Sequence, residues 1–493
     1  MPEQQSVRFN VPKGGFAPDL TIREMGADYS PNLTNCFFEN QKELKRRLCQ
    51  TPYIVAAFVD GGSADHMFEH RGFTGTSKIF AHTDANSIYE NVAGTWTSRD
   101  TSFTSRIRTA KLGNLVVMGD GVNPAKTYNG TAFAAVTTGP AAPFASYIGN
   151  IFHSHKGRMF AAGDPARGMD VIHSATIGGG GSGADYWSTV LSGVNQGGFI
   201  DVAADIPDGD IVTGITSYLG YLVVFTNNYI VYYTTEETAT GFDAAVHKVV
   251  GGEGCVSQDT IQSIGNDVAF LSPNGYKTLS QVLVQGDAGV NSSGLVLNAY
   301  VTDLLRTSVT VANIRSTFIP KYGLYICNLG TEQHVFQFAY KAWFKWTGLD
   351  AQLFRDSLGV AYTAGTTVQT LDDSVTSDTK GAVNTAVSYI RETAPVRTSG
   401  QELKNRFIRA ELICICDPDE SVLFEYWVND DETNTKVSET IVLNAGGAGR
   451  AAVDLRIPII GRGEFITMRT TNSNDTDYRE TATELYYVAG GMR

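Results

Sequence analysis

Ile215-Thr-Ser-Tyr-Leu-Gly-Tyr-Leu-Val-Val-Phe-Thr-Asn-Asn-Tyr-Ile-Val-Tyr-Tyr233 holds an apolar run, an Asn-Asn turn and a second run of β-branched and aromatic residues. A run, a turn and a return of this kind make a β-hairpin. Ile264-Gly-Asn-Asp-Val-Ala-Phe-Leu-Ser-Pro-Asn-Gly-Tyr-Lys-Thr-Leu279 writes the pattern again, with Asn274-Gly275 at the turn. The two starts, near Tyr221 and Asp267, lie 46 positions apart. A short-strand hairpin recurring at about 40 to 50 residues predicts the blades of a β-propeller.

Five weaker copies flank these two. Lys78-Ile-Phe-Ala81 returns at Ile88-Tyr89, Asn114-Leu-Val-Val-Met118 at Thr127-Tyr128, and Arg158-Met-Phe-Ala-Ala162 at Val171-Ile172. Gly323-Leu-Tyr-Ile-Cys327 returns at Val335-Phe-Gln-Phe338, with Trp343 and Trp346 following, and Leu358-Gly-Val-Ala-Tyr362 at Val368-Gln-Thr-Leu371. Strands apolar on both faces have to be sandwiched between neighbours, and radial repetition does this while leaving only short edges. The expectation is a toroid of five to seven blades over 53–380; a stack of β-sandwiches is the alternative. The intervals are uneven because of insertions. One is a Gly-rich segment, Gly178 to Gly183, running into Asp185-Tyr-Trp-Ser188. Another is a helix over Leu297 to Leu305, whose Leu297, Tyr300, Val301, Leu304 and Leu305 form one apolar stripe.

Residues 1–52 read as an extended N-terminal arm broken by Gly14-Gly15, Pro18 and Pro31. Within it, Phe37 to Leu48 is predicted as a helix whose Lys42, Lys45, Arg46 and Arg47 make a solvated face or a docking surface. Beyond Lys380 the period is lost. Arg406 to Cys416, Val422 to Val428, Arg456 to Ile460, Glu464 to Arg469 and Glu484 to Val488 are longer strands with polar loops, so 381–493 is predicted as a separate β-sandwich-like domain.

At 493 residues the chain exceeds one core. A net charge of −13 argues against a protein that grips nucleic acid, since phosphate binding is driven by Lys and Arg. The six cysteines are scattered, and free buried thiols in a reducing cytoplasm are expected. Cys414-Ile-Cys416 is read as two thiols on opposite sides of a strand, a poor chelate. No basic-then-apolar leader opens the sequence and no apolar run reaches 18 residues, so neither a signal peptide nor a membrane span is expected.

Asp185-Tyr-Trp-Ser188, Asp208-Gly209 ahead of Ile211, Leu222-Val-Val-Phe225 before Tyr229-Ile230, Gly254-Cys-Val-Ser257 with Thr260-Ile261, Ile264 to Leu271 and Asn274-Gly275 stand in a recognisable order. Over 185–281 the chain resembles the tail nozzle (tail hub, packaged-DNA stabilisation) proteins of short-tailed bacteriophages. More loosely the resemblance extends to the arm, to Trp343 to Trp346 and to the C-terminal Gly490-Gly-Met-Arg493. It implies a structural virion protein, a homohexamer at the viral tail tip. Such a ring sits below the portal and adaptor rings, meets tail fibre, spike or needle proteins, and retains duplex DNA until ejection without binding it tightly. The expected constriction is polar rather than basic, drawn from loops such as Asn429 to Asn434 or Asn472 to Asp477.

Enzyme readings are weak. Thr95-Trp96 matches only the end of a sialidase Asp box; His153-Ser-His155 and His66 to His70 lack the further ligands of a metal site. Gly178 to Gly183 lacks the Lys of a phosphate loop. No catalytic, metal or cofactor residue is expected, and the protein is read as not an enzyme. The alternative function is a glycan-binding propeller, an adhesin or lectin, in which Tyr186 and Trp187 stack on a sugar.

Overall fold

The computed structural model describes residues 4–488 except 22–23, 41–42, 74, 76, 137–147, 177–196, 208, 239–240, 286–296, 381–382, 398–404 and 430. Over most of its length the chain is a β-propeller. Blade one is Ala64–Arg71, Ser77–Thr83, Ile88–Val92 and Thr95–Asp100. Blade two is Arg108–Leu112, Leu115–Gly119, Lys126–Tyr128 and Phe133–Ala135. Blade three is Ile151–His155, Arg158–Ala162, Asp170–His173 and Gly198–Asp201. Blade four is Val212–Tyr218, Tyr221–Thr226, Tyr229–Thr238 and Gly241–Gly251.

Blade five has three described strands, Gln262–Ser263, Val268–Ser272 and Gly275–Thr278, with the helices Leu279–Gln285 and Asn298–Thr307 against the last of them. Blade six is Arg315–Ile319, Leu324–Asn328, Gln333–Gln337 and Ala342–Trp346. Blade seven takes Gln352–Arg355, Ala361–Ala364 and Val368–Asp372 from this end of the chain and its fourth strand, Cys49–Ile54, from the other. The hairpins legible in the sequence are the central pairs of these blades. Leu222–Tyr233 and Val268–Thr278 lie in different sheets, as radial blades require.

Alternation explains the stacking. In blade four Leu222, Val224, Val231 and Tyr233 pack with blade three, while Val223, Phe225, Ile230 and Tyr232 pack with blade five. Successive side chains of a strand point to opposite faces, so a strand apolar at every position needs a neighbour on each side. Each fully buried Val, Leu or Phe contributes about 1.5–3 kcal/mol. The first strands of successive blades touch around the axis, with the turn Gln258–Thr260 standing in for blade five, and Gln352–Arg355 meets Ala64–Arg71 to close the ring.

The C-terminal strands form two facing sheets. One runs Ala451–Gly463, Asn405–Cys416, Arg479–Val488, Glu43–Arg46, Cys36–Asn40, with Gln4–Asn10 also on Arg479–Val488. The other runs Tyr389–Glu392, Phe465–Asn472, Glu420–Val428, Val437–Leu443. This second sheet does not stop at the propeller: Leu33–Thr34 pairs with Ala342–Trp346 on one side and Tyr389–Glu392 on the other, making twelve strands continuous with blade six.

The N-terminal segment is extended, and it is threaded through both parts. Phe37 to Leu48 is not a helix but the hairpin Cys36–Asn40 and Glu43–Arg46. Of its basic residues Lys42 lies outside the described ones, and Arg46 and Arg47 are buried rather than on a solvated or docking face. Arg46 donates to Thr376 O at 2.8 Å and to Asn472 Oδ1, and Arg47 pairs with Asp378. The helical signal failed because two charged side chains found buried partners more than 300 positions away. All six cysteines are free and buried. Cys414 and Cys416 lie in one core, because residues two apart on a strand share a face; the expectation of opposed thiols is corrected.

The expected helix over Leu297 to Leu305 is Asn298–Thr307, with Leu297 and Val301 buried. Its first turn is capped from the N-terminal segment: Asp19 accepts from the backbone of Ala299 at 2.7 Å and Tyr300 at 2.8 Å.

Candidate functional site

Convergence of the inner strands brings charges together that the sequence keeps far apart. Asp259 sits in the turn Gln258–Thr260, capped by Ser257. Arg106, just ahead of blade two, donates from both terminal nitrogens to Asp259 at 2.8 Å, and Arg108 donates from Nε at 2.9 Å. Arg315 opens blade six close by, giving Nε to Gln352 Oε1 at 2.9 Å and Nη1 to the carbonyls of Ala312 and Ile314 at 2.6 Å. Burial works to raise the Asp259 carboxyl, yet Arg108 and Arg106 hold it well below the usual carboxylate range. Burial, and then the like charge of Arg106, push Arg315 down to about 9.

Beside this cluster the axis widens into a cavity of about 470 Å³, walled by His66, Arg108, Asp259, Arg315, Gln352 and Arg355 among others. Of these residues the sequence drew attention to His66 alone, as a weak metal candidate, and to none of the arginines or Asp259. Arg106-Ile-Arg108 has strand alternation, but only ring closure places it against Asp259, about 150 positions later.

The histidines of interest are ties between blades. His153 Nε2 and His155 Nδ1 both bond Ser217 Oγ at 2.8 Å, and His155 Nε2 bonds Thr235 Oγ1 at 3.0 Å, joining blade three to blade four. Burial lowers both rings to about 4. His66 bonds Thr109 Oγ1 at 3.0 Å and His70 the carbonyl of Asn114 at 3.0 Å, joining blade one to blade two. Trp96 is buried against Phe58, 5.1 Å between ring centres, which is a packing role. Among the described residues no three His, Cys, Asp or Glu side chains converge as a metal site. No described helix is long and apolar enough to cross a membrane.

Gly178 to Gly183, Asp185 to Ser188 with Tyr186 and Trp187, Asp208 and Gly490 to Arg493 lie outside the described residues. The two polar loops lie at opposite ends of one sheet, since Leu423 pairs with Thr471 while Val428 pairs with Ile466. Asn472 to Asp477 is tied inward: Asn472 and Asn474 donate to Glu420 at 2.5 and 2.7 Å, and Asp475 accepts from Thr376 at 2.6 Å. Asn429 to Asn434 includes a left-handed Asn429 (φ 56°) and the start of the short helix Glu432–Thr435, capped by Asp431; Thr433 and Asn434 are exposed, while Glu432 is paired with Arg469 and Lys436.

No family model matches the chain, and no curated protein matches it. Among solved structures it is similar to Raptor of Chaetomium thermophilum (TM-score 0.43, 11% identity, 66% of this chain and 30% of that one). It is also similar to the Pan2 WD40 domain of Neurospora crassa (TM-score 0.36, 9% identity, 68% and 96%) and the WD40 β-propeller domain of Doa1 (TM-score 0.38, 8% identity, 65% and 96%). The chain thus spans under a third of Raptor's length. At these identities the likeness is one of fold.

Proposed function

We propose that this chain is the structural subunit of a phage tail nozzle, a homohexameric ring that continues the DNA channel below the portal and adaptor, retains packaged DNA and releases it at ejection. The resemblance in sequence motivates the reading, and one structural observation carries it. Blade six continues through Leu33–Thr34 into the C-terminal sandwich as a single hydrogen-bonded sheet. A wall around DNA under pressure has to transmit force without a hinge, and a shared sheet does that better than a linker. Around the same seam Arg391 and Glu480 form a buried pair, and Asn35 donates to Thr347 at 3.0 Å and to Ser388 O at 2.8 Å.

In this reading the gate is drawn from one of the two polar loops at opposite ends of the sheet, Asn429 to Asn434 or Asn472 to Asp477. The test is assembly. Purified chain mixed with the adaptor ring should give closed six-fold particles in electron-microscopic class averages, each protomer offering two different patches to its neighbours. Only monomers, or only two- or three-fold particles, would reject the nozzle and favour the glycan-binding alternative.

A further inference from the structure

The propeller axis is a cationic exception in an acidic chain. Overall the protein carries −13, yet at one end of the axial cavity the guanidiniums of Arg106, Arg108 and Arg315 gather around one carboxylate, Asp259. Asp259 is hydrogen-bonded by Arg106 and Arg108 together, so Arg315 bonds to neutral groups, Gln352, two backbone carbonyls and a 3.5 Å approach to Asp65 O, and feels the carboxylates of Asp259 and Asp65 only at longer range. Arg108 gives Nε and Nη2 to Asp259 and keeps its other terminal nitrogen unbonded, with 19% of its side chain exposed. Farther along the same wall, half-buried Arg355 makes no hydrogen bond or ion pair.

Two further carboxylates line the cavity, but Glu69 accepts from Ser77 and Ser357, and Asp356 from Tyr362 and the backbone of Leu358 and Val360. Its cations Arg108, Lys111, Arg315 and Arg355 outnumber Glu69, Asp259 and Asp356 by one, with Arg106 beside them. Buried cations without matching anions are costly, and an excess of one sign attracts ions of the other. A guanidinium fork matches an oxyanion in geometry as well as charge. We propose that the axial cavity binds a small oxyanion of the phosphate class, held by Arg108 Nη1 and by the remaining donor capacity of Arg315 Nη2, and attracted along the wall by Arg355. The cavity, about 470 Å³, has room for such a group with its water. The site belongs to a single chain and does not depend on the nozzle reading.

Calorimetric titration of the full chain with sodium phosphate, against sodium chloride at matched ionic strength, tests it. One saturable site per chain and a melting temperature raised by phosphate but not by chloride are expected. Arg108→Gln should weaken binding about tenfold, the equivalent of one charge-assisted hydrogen bond. Arg355→Gln removes a side chain that bonds to nothing, so it leaves the fold intact and should weaken binding several-fold. Should Arg108→Gln fail to fold by circular dichroism, Arg355→Gln alone decides. No saturable heat up to about 10 mM phosphate, a range that still detects millimolar affinity, would overturn the proposal. So would an equal effect of chloride, or unchanged binding in Arg355→Gln.

Discussion

Arg47 and Asp378 face each other as a two-pronged ion pair, Nη2 to Oδ2 at 2.5 Å and Nη1 to Oδ1 at 3.1 Å, with only 2% and 6% of their side chains exposed. Asp378 Oδ1 also accepts from the backbone of Gln50 at 2.9 Å, so the pair fixes the strand that completes blade seven. Removing one partner of a buried pair strands the other charge, at a cost of about 3–5 kcal/mol. Arg47→Ala is therefore expected to lower the denaturation midpoint by that order, measured by urea unfolding followed by tryptophan fluorescence.

Deleting residues 1–54 should abolish folding rather than trim an appendage. Blade seven would lose the strand paired at Thr51↔Thr370, the twelve-stranded sheet would lose Leu33–Thr34, and Asn298–Thr307 would lose its cap. Open strand edges invite aggregation. The expected outcome is insoluble protein; a soluble, cooperatively melting 55–493 fragment would refute it.

Stability should fall on acidification between about pH 6.5 and 4. Burial holds His153, His155 and His173 at about 4 in the folded chain, against 6.5 for the free side chain. In that window the unfolded state binds the extra protons, so stability is fully present above the window and is lost as pH falls through it. By the conversion of 1.4 kcal/mol per unit the loss is at most about 3.5 kcal/mol for each ring. His153→Gln should flatten the slope of urea midpoint against pH; an unchanged slope would count against these rings as its source.

Asp259→Asn removes the single carboxylate among three guanidiniums at the axis. A loss of about 3–5 kcal/mol is expected from the uncompensated charge, read by urea unfolding. Adding Arg106→Gln should restore part of it, since one surplus cation is then removed; no recovery in the double variant would mean that the bonds matter and the charge balance does not.

If the wall of a nozzle is a slide and not a clamp, duplex DNA should bind no more tightly than about 10⁻⁴ to 10⁻⁶ M at physiological salt. Filter binding measures it. Nanomolar affinity with a steep salt dependence would contradict this account of release.

The sequence by itself determined the blades. Each central hairpin, such as Leu222 to Tyr233, carries its own turn and its own apolar runs, and local signals of that kind survive without knowledge of the partner strand. The helix at Asn298–Thr307 was legible for the same reason. What only the tertiary structure decided was long-range. Leu33–Thr34 is two residues long, too short for any periodicity, and becomes a strand because blade six and Tyr389–Glu392 both offer it open hydrogen-bonding edges. Arg46 and Arg47 looked like a solvated run until Asn472 and Asp378 arrived as partners. Likewise the axial arginines are ordinary inner-strand residues until ring closure sets Arg106 and Arg108 against Asp259. Charge pairing depends on distance in space, and only the closed ring sets that distance.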